Sequence, residues 1–286
     1  MLTRYLQQCS IYLQFPNVRH FACWVIFGGT LVAFSLIHFR FIDFHGKFCR
    51  DGGRIPSEGA LPGECFYFLR SQSAQLGIIS HISLIIPAAL LACLQFVPRI
   101  RHKAINIHRI CGRVSLVLAL IGAVGVIPTL RHAFGGELAA QCAGGGLTIL
   151  FIWAQLKAYL SIKRGLVNQH RAWMLRSWFY AGGIVTMRVI MFASAFIVSR
   201  IGGYYMAQPC DKIDFVLRGR EKTLSRYPGC EPFYNGENPT QHVVVRANMI
   251  TRDIVELFTA FNITYAMAGW LAFTIHIAGI EIFLRA

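Results

Sequence analysis

Two short basic phrases in the sequence carry the side chains best suited to acid–base chemistry. Asn106-Ile107-His108-Arg109 is followed by Arg113, and Asn168-Gln169-His170-Arg171 is followed by Arg176. Each asparagine is placed to cap the helix that follows it. Two helix N-termini that carry guanidinium groups suit an anion such as a phosphate or a carboxylate, and imidazoles beside that anion could move a proton.

These phrases predict a substrate site at one end of the protein. We expect its catalytic acid–base residues to be His108 and His170, and its anion clamp to consist of Arg109, Arg113, Arg171 and Arg176. The alternative is that the cations only set the membrane topology and contact lipid head groups.

Arg188 is a second candidate, because it follows about 14 residues of an apolar stretch, or roughly 20 Å at the helical rise. A guanidinium at that depth costs a few kcal/mol or more unless it faces a counter-ion or a polar interior. Glu256 is the expected protein partner. The functional interpretation is that Arg188 binds substrate, and the alternative is a structural ion pair.

Four histidines at two depths allow a different function. Two bis-histidine haem b groups would carry electrons across a bilayer, with the axial pairs His81/His132 and His170/His276. Such carriers usually place two histidines about four turns apart on one helix, which this sequence does not do, so haem is kept as the alternative. There is no CxxC or HExxH motif, and no metal site is predicted.

The elements that must hold these residues are membrane spans. Of the 286 residues, 55% are hydrophobic and 14% are charged, whereas soluble domains have about 25% charged residues. Stretches of about 20 apolar residues can cross a bilayer, and six occur, at 21–39, 74–97, 114–133, 138–162, 174–199 and 254–284. The sequence therefore predicts an all-α, polytopic integral membrane helix bundle, and it excludes a soluble enzyme.

Two local features predict details of the spans. Gly135-Gly136 is a tight connection that makes the third and fourth spans an antiparallel hairpin. Pro87 and Pro128 lie inside spans and should kink them.

Charge and cysteine usage predict the orientation. The net charge is +15, and the loops near residues 99–113 and 157–176 are basic without acids, so they and both termini should be cytosolic. Basic charge on such an apolar chain indicates membrane topology rather than nucleic-acid binding.

The segments 40–73 and 200–253 are then outer loops, and they contain Cys49, Cys65, Cys210 and Cys230. One disulfide within each loop is the simplest of three connectivities.

Three phrases resemble one family of bacterial and fungal membrane proteins. They are His108-Arg109…Gly112-Arg113, His170-Arg171-Ala172-Trp173-Met174-Leu175-Arg176-Ser177 and Thr186-Met187-Arg188. The family is catalogued as domain of unknown function 2306, and the resemblance covers roughly residues 75–200 of a single membrane domain, 1–286. The insertion at 204–252 is similar to the fungal branch. Fungal relatives occur in natural-product gene clusters, so the resemblance implies work on a lipophilic intermediate.

Three functions follow as expectations. The first is a membrane-embedded enzyme or accessory subunit that acts on a lipophilic, polar-headed substrate, with partner proteins of a biosynthetic complex, in the endoplasmic reticulum or another endomembrane. The second is the haem b electron carrier. The third is a non-catalytic assembly or transport protein. Whether the chain is an enzyme stays open at this point.

Overall fold

Six helical segments are long and apolar enough to cross a membrane, and they confirm the six predicted spans. The structure is a computed structural model, and it describes residues 2–50, 59–61 and 63–285. The segments are Val18–Ile42, Gln72–Gln95, Ile105–Leu130, Leu138–Lys163, Val167–Ile201 and Ile254–Arg285. We call them the first to sixth spans. Part of the predicted outer loop 40–73, namely 51–58 and 62, lies outside the described residues.

The first and third spans are built from several helices. The first comprises Val18–Cys23, a π-helical turn Trp24–Gly28, Gly29–Phe39 and a 3₁₀ turn Arg40–Ile42. The third comprises Ile105–Val124 and Ile127–Leu130. Pro128 stands in the first turn of the second piece, directly after the helix is interrupted at Gly125 and Val126, close to where the sequence predicted a kink. Pro87 lies inside the second span, whose helix runs unbroken from Gln72 to Gln95.

Two spans begin earlier than the apolar stretches predicted. The third starts at Ile105 and the fifth at Val167, so both basic phrases are helical. The predicted N-caps are therefore wrong. Each helix already starts at the apolar residue before its asparagine, and neither cap position makes a side-chain hydrogen bond to the helix.

The spans pack as two groups of three. The second span packs on the third and the first, while the fifth packs on the sixth and the fourth. The groups meet where the third span contacts the fourth and where the first contacts the fifth. The third and fourth spans are joined through Gly135 and Gly136, whose φ values of 92° and 71° permit the tight turn that was predicted.

The two long loops fold over the same end of the bundle. Cys49–Cys65 and Cys210–Cys230 are disulfide-bonded, which confirms the pairing of one bridge within each loop. The second loop also contains a two-stranded antiparallel sheet, β1 (Tyr205–Pro209) and β2 (His242–Arg246). We call this end the disulfide end. The opposite end, which holds Pro98–Lys103 and the starts of the third and fifth spans, is the basic end.

The remaining elements are short. They are Leu2–Tyr12, Phe44–Phe48, Glu64–Arg70, Ala133–Gly135, Cys210–Leu217, Arg220–Arg226, Pro228–Cys230 and Glu231–Tyr234.

Candidate functional site

Charged side chains are buried together at the disulfide end. Glu64 begins the helix Glu64–Arg70 and is 5% exposed, and Lys212 in the helix Cys210–Leu217 is 0% exposed. Arg188 approaches them from the fifth span and lies within electrostatic range of Glu64. Buried charges of this kind are rare in proteins unless they are directly paired. We call these three residues the buried charge cluster.

The Glu64 carboxyl group is only half satisfied. Its Oε2 accepts a hydrogen bond of 3.1 Å from the backbone N–H of Phe134, while its Oε1 is enclosed and has no hydrogen-bond partner in the described part of the chain. Burial raises the pKa of Glu64, against the opposing effects of Lys212, the Phe134 N–H and Arg188. The carboxyl group therefore keeps its proton to a higher pH than an exposed glutamate does.

The Lys212 ammonium group lies among aromatic rings. Its Nζ is 4.5 Å from the centre of the Phe258 ring and 5.3 Å from that of Tyr67. The amide oxygen of Asn262 accepts from Nζ at 3.3 Å when its amide nitrogen donates to the Phe258 carbonyl oxygen. Burial lowers the pKa of Lys212 to about 8, although Glu64 and Asp211 act in the opposite direction. This amine can exchange its proton near neutral pH.

Gly63 makes room for this arrangement. Its φ is 86°, and a Cβ atom at this position would lie 2.5 Å from Cε of Lys212. A side chain is thus excluded both by the backbone conformation and by the lysine stem.

Phe134 connects Glu64 with Arg188. Its ring stacks on Tyr265 with a centroid distance of 4.0 Å, and the Arg188 guanidinium carbon lies 4.9 Å from the Phe134 ring centre. Phe134 has φ 49° and ψ 47°, a left-handed conformation that costs a bulky residue about 1–3 kcal/mol. Strain of this kind concentrates at functional sites, and here it aims the backbone N–H at Glu64.

Arg188 does not have the partner that the sequence predicted. Glu256 instead accepts a hydrogen bond of 3.3 Å from the Asn248 side chain. Besides Glu64, the electrostatic neighbours of Arg188 are Tyr265 and His38. The expectation of Glu256 is wrong because the first outer loop folds back over the bundle and brings in an acid that is distant in sequence.

The cluster contains unfilled hydrogen-bonding capacity. Within the described residues, no direct salt bridge joins Glu64 to Lys212 or to Arg188. The Nε of Arg188, like Oε1 of Glu64, is buried without a hydrogen-bond partner. An unsatisfied buried polar atom costs about 1–3 kcal/mol, so native proteins keep few of them and usually for a reason. A bound polar group could satisfy both atoms.

At the basic end, the structure brings two predicted residues together. His108 lies within electrostatic range of His170 and of Arg101, and its Nδ1 is enclosed without a partner. The Nδ1 of His170 is 2.9 Å from the Ala158 carbonyl oxygen. Burial lowers the pKa of Arg101, and the nearby charge of Arg171 lowers it further. Of the predicted clamp, Arg171 therefore lies within electrostatic range of another cation, Arg101, which the sequence had not assigned to the site.

The other predicted clamp residues lie in different settings. Arg109 and Arg113 are exposed. Arg176 instead makes a two-pronged ion pair with Glu281, with N–O distances of 2.5 and 2.9 Å. Its guanidinium carbon is 4.7 Å from the Trp173 ring centre. The pair lines a cavity of about 340 Å³, together with Leu150, Trp153, Trp173 and Tyr180.

His276 does not fit its role as an axial ligand in the haem alternative. Both ring nitrogens of His276 are occupied, by Thr186 Oγ1 at 2.8 Å and by the Phe179 carbonyl oxygen at 2.5 Å. An axial ligand needs one free ring nitrogen. His132 stacks on Tyr67 at 4.5 Å, and His81 Nδ1 is 2.9 Å from the Gly122 carbonyl oxygen. The described residues also hold no group of three or more His, Cys, Asp or Glu arranged for a metal ion.

The prediction from sequence missed Glu64 and Lys212. Their only local signal is a nearby outer-loop cysteine: Glu64 precedes Cys65 directly, and Lys212 is two residues after Cys210. A charged residue close to a cysteine is too common to indicate a site.

Comparison with known proteins confirms the family resemblance. Residues 78–208 match the family model described as "Predicted membrane protein (DUF2306)", close to the predicted stretch 75–200. The match includes Arg188 and both basic phrases, whereas Glu64 and Lys212 lie outside it.

One curated relative is similar along nearly the whole chain. It is "Ava biosynthesis cluster protein G" of Aspergillus versicolor, 26% identical over an alignment that covers 96% of this chain and 90% of the relative. No solved structure matches. The chain is thus an integral, multi-pass membrane protein with a relative from a fungal biosynthetic cluster.

Proposed function

We propose that this protein is a membrane-embedded enzyme of fungal secondary-metabolite biosynthesis that performs acid–base chemistry at the buried charge cluster. The observation that carries the proposal is the pair Glu64 and Lys212, both buried, with the pKa of the acid raised and that of the base lowered to about 8. Burial that raises the pKa of a glutamate and lowers that of a lysine brings both values closer to the working pH, which is typical of acid–base catalysis.

Each residue has a role that its surroundings support. Glu64 Oε1 has no partner within residues 2–50, 59–61 and 63–285, and its role is to take a proton from the substrate. Lys212 returns a proton, because its amine titrates near neutral pH. Arg188 Nε donates to the oxygen that becomes negative when a proton leaves the adjacent carbon. This is a proton-transfer isomerisation. The electron pair of the broken C–H bond moves toward oxygen, and the proton from Lys212 forms a new C–H bond at a second carbon of the substrate. The proton on Glu64 then returns to Lys212, so no other reactant is consumed.

The setting supports a lipophilic substrate with one polar head. The cluster lies where the two outer loops and the turn at Phe134 meet the fifth and sixth spans, and Tyr67, Phe134, Phe258 and Tyr265 surround its charges. Such a substrate would enter from the bilayer with its head at the cluster. The endoplasmic reticulum or another endomembrane suits the two disulfides, because their end would face the oxidising lumen.

Allele replacement in the producing organism tests the proposal. Strains that carry Glu64→Gln, Lys212→Met or a deletion are compared by mass spectrometry of their extracts. We expect both variants to accumulate the same precursor as the deletion while the protein remains in membranes. Glu237→Gln, an exposed acid in the second outer loop, is the matched control and should keep the product. A normal product level in Glu64→Gln would reject the acid–base proposal and favour a non-catalytic role.

The basic end is a second candidate site for a polar head. Its support is the convergence of His108, His170, Arg101 and Arg171. In this version His108 and His170 are the acid–base pair, and the guanidinium groups hold a phosphate or a carboxylate. The same extracts from a His170→Ala strain would distinguish the two sites.

A further inference from the structure

We infer that the buried charge cluster binds its ligand as a monoanion, namely an ionised carboxylic acid, phenol or enol on a flat unsaturated skeleton. The inference deepens the proposed function, since it rests on the same site and names the chemical class of the substrate.

The charges in the cluster do not balance. One carboxylate and two cations leave one positive charge in excess when all three groups are ionised. Among the described residues, the other acid near Lys212 is Asp211, which lies 3.3 Å from Arg70. His132 and Tyr67 face Lys212, and His38 and Tyr265 face Arg188, but none of these supplies a negative charge near neutral pH. An unbalanced buried charge is costly, and a bound anion would neutralise it.

Two hydrogen-bond donors in the buried charge cluster have spare capacity to bind an anion. Among the described residues, Arg188 Nε is a permanent donor without an acceptor, and Lys212 Nζ has one polar contact, the Asn262 amide oxygen. Both are therefore available to an anionic oxygen. Glu64 Oε1 stays free for the proton that is transferred.

The surrounding rings favour a flat skeleton. Phe134 and Tyr265 stack at 4.0 Å with an angle of 4°, and Tyr67 and His132 stack at 4.5 Å with an angle of 7°. Parallel ring pairs offer faces and edges to a further planar group. Arg188, Tyr67, His132 and Tyr265 are only half-buried, so accessible surface reaches the cluster.

Ionisation of the ligand completes the charge balance. Lys212 has a pKa of about 8, so it is an ammonium group at neutral pH. The proton of an acidic ligand is released to water, and the resulting anion lies between this ammonium group and the Arg188 guanidinium. The cluster then has no net charge.

A matched pair of probes tests the inference on purified, full-length protein in phosphatidylcholine nanodiscs. The probes are 2-naphthoate and 2-naphthalenemethanol, which share a flat skeleton and differ in charge. We expect 2-naphthoate to bind saturably, and Lys212→Met to weaken its Kd by about tenfold, equivalent to about 1.4 kcal/mol. Lys222→Met, an exposed lysine on the helix Arg220–Arg226, should leave the Kd unchanged. The neutral alcohol should bind the wild type more weakly and should not respond to Lys212→Met.

Several outcomes would overturn the inference. They are no saturable binding of 2-naphthoate, equal affinity for the neutral alcohol, or an equal loss of affinity in Lys222→Met.

If Lys212→Met does not fold, Arg188→Lys serves as the test variant instead. It keeps the charge but removes Nε, so it should also weaken the binding of 2-naphthoate. The result is independent of the metabolite experiment. Anion binding with a normal product level in the Glu64→Gln strain would retain the anion site and reject only the acid–base function.

Discussion

Glu64 and Lys212 meet at the disulfide end, although each belongs to a different covalently closed loop. Glu64 directly precedes Cys65, which is bonded to Cys49, and Lys212 stands two residues after Cys210, which is bonded to Cys230. An ion pair of 3.3 Å between Arg70 and Asp211 joins the two loops. Phe66 and Phe215 add an edge-to-face contact at 5.5 Å. The two disulfides therefore hold the acid and the base over the end of the bundle.

Removal of one disulfide should disturb the site as well as stability. The Cys49–Cys65 bridge closes a separation of 16 residues, and loss of such a crosslink costs about 3 kcal/mol in the loop-entropy model. We expect the double variant Cys49→Ser/Cys65→Ser to show a lower Tm and weaker 2-naphthoate binding. Cys142→Ser, at an exposed free cysteine, is the control and should change neither. Unchanged binding in the double variant would show that the bridge does not position Glu64.

The orientation of the chain is a separate prediction. Because the basic end has acid-free loops, we expect it and both termini to face the cytosol, with the disulfide end in the lumen. In sealed microsomes, an impermeant maleimide should reach Cys210 and Cys230 only after reduction and only from the luminal side. Labelling of these cysteines from the cytosolic side alone would reverse the topology.

Stability should depend on pH through Lys212. Its pKa is about 8 in the folded protein and near 10.5 when exposed, so the unfolded state binds more protons between these values. The free energy of unfolding therefore rises with pH across this window. Below pH 8 both states bind the Lys212 proton, so this group does not change the free energy of unfolding with pH. Scans at pH 7.5 to 10 should show the wild-type Tm rising relative to that of Lys212→Met. A constant difference between the two proteins would contradict the lowered pKa.

Arg188 should be needed for function more than for folding. An apolar side chain of similar volume avoids desolvation of the guanidinium, so Arg188→Leu should be inserted in membranes with a Tm close to that of the wild type. We expect the product to be lost in the allele test. A Tm well below that of the wild type, together with little protein in membranes, would indicate a purely structural charge.

The basic end should show charge repulsion in the absence of a ligand. Two cations about 8 Å apart repel by roughly 2 kcal/mol at an effective dielectric constant near 20. Because Arg101 and Arg171 lie close enough to interact, Arg171→Ala should leave the ligand-free protein equally or more stable. Thermal scans with and without inorganic phosphate measure this. A marked loss of Tm without phosphate would show that Arg171 has a stabilising contact instead.

The sequence alone determined the architecture. Long apolar runs must be helical in a bilayer, because each backbone polar group needs a partner within its own segment. The six spans, the break near Pro128 and the turn at Gly135-Gly136 follow from such local rules. The disulfide pairing within each loop also follows from a local rule, since cysteines that are close in sequence meet most easily. The first turns of the third and fifth spans were missed, because charged residues continue a helix beyond its apolar stretch.

Only the tertiary structure determined the buried charge cluster. Glu64 and Lys212 stand in short loop helices whose apolar residues give no sign that these two charged side chains also face inward. Arg188 had no visible partner but Glu256. Their meeting depends on how two closed loops pack on each other and on the strained turn at Phe134. Electrostatic neighbours that are distant in sequence are set by packing, so a local pattern cannot predict them. The pKa shifts that suggest a function exist only once that packing has removed water from the charges.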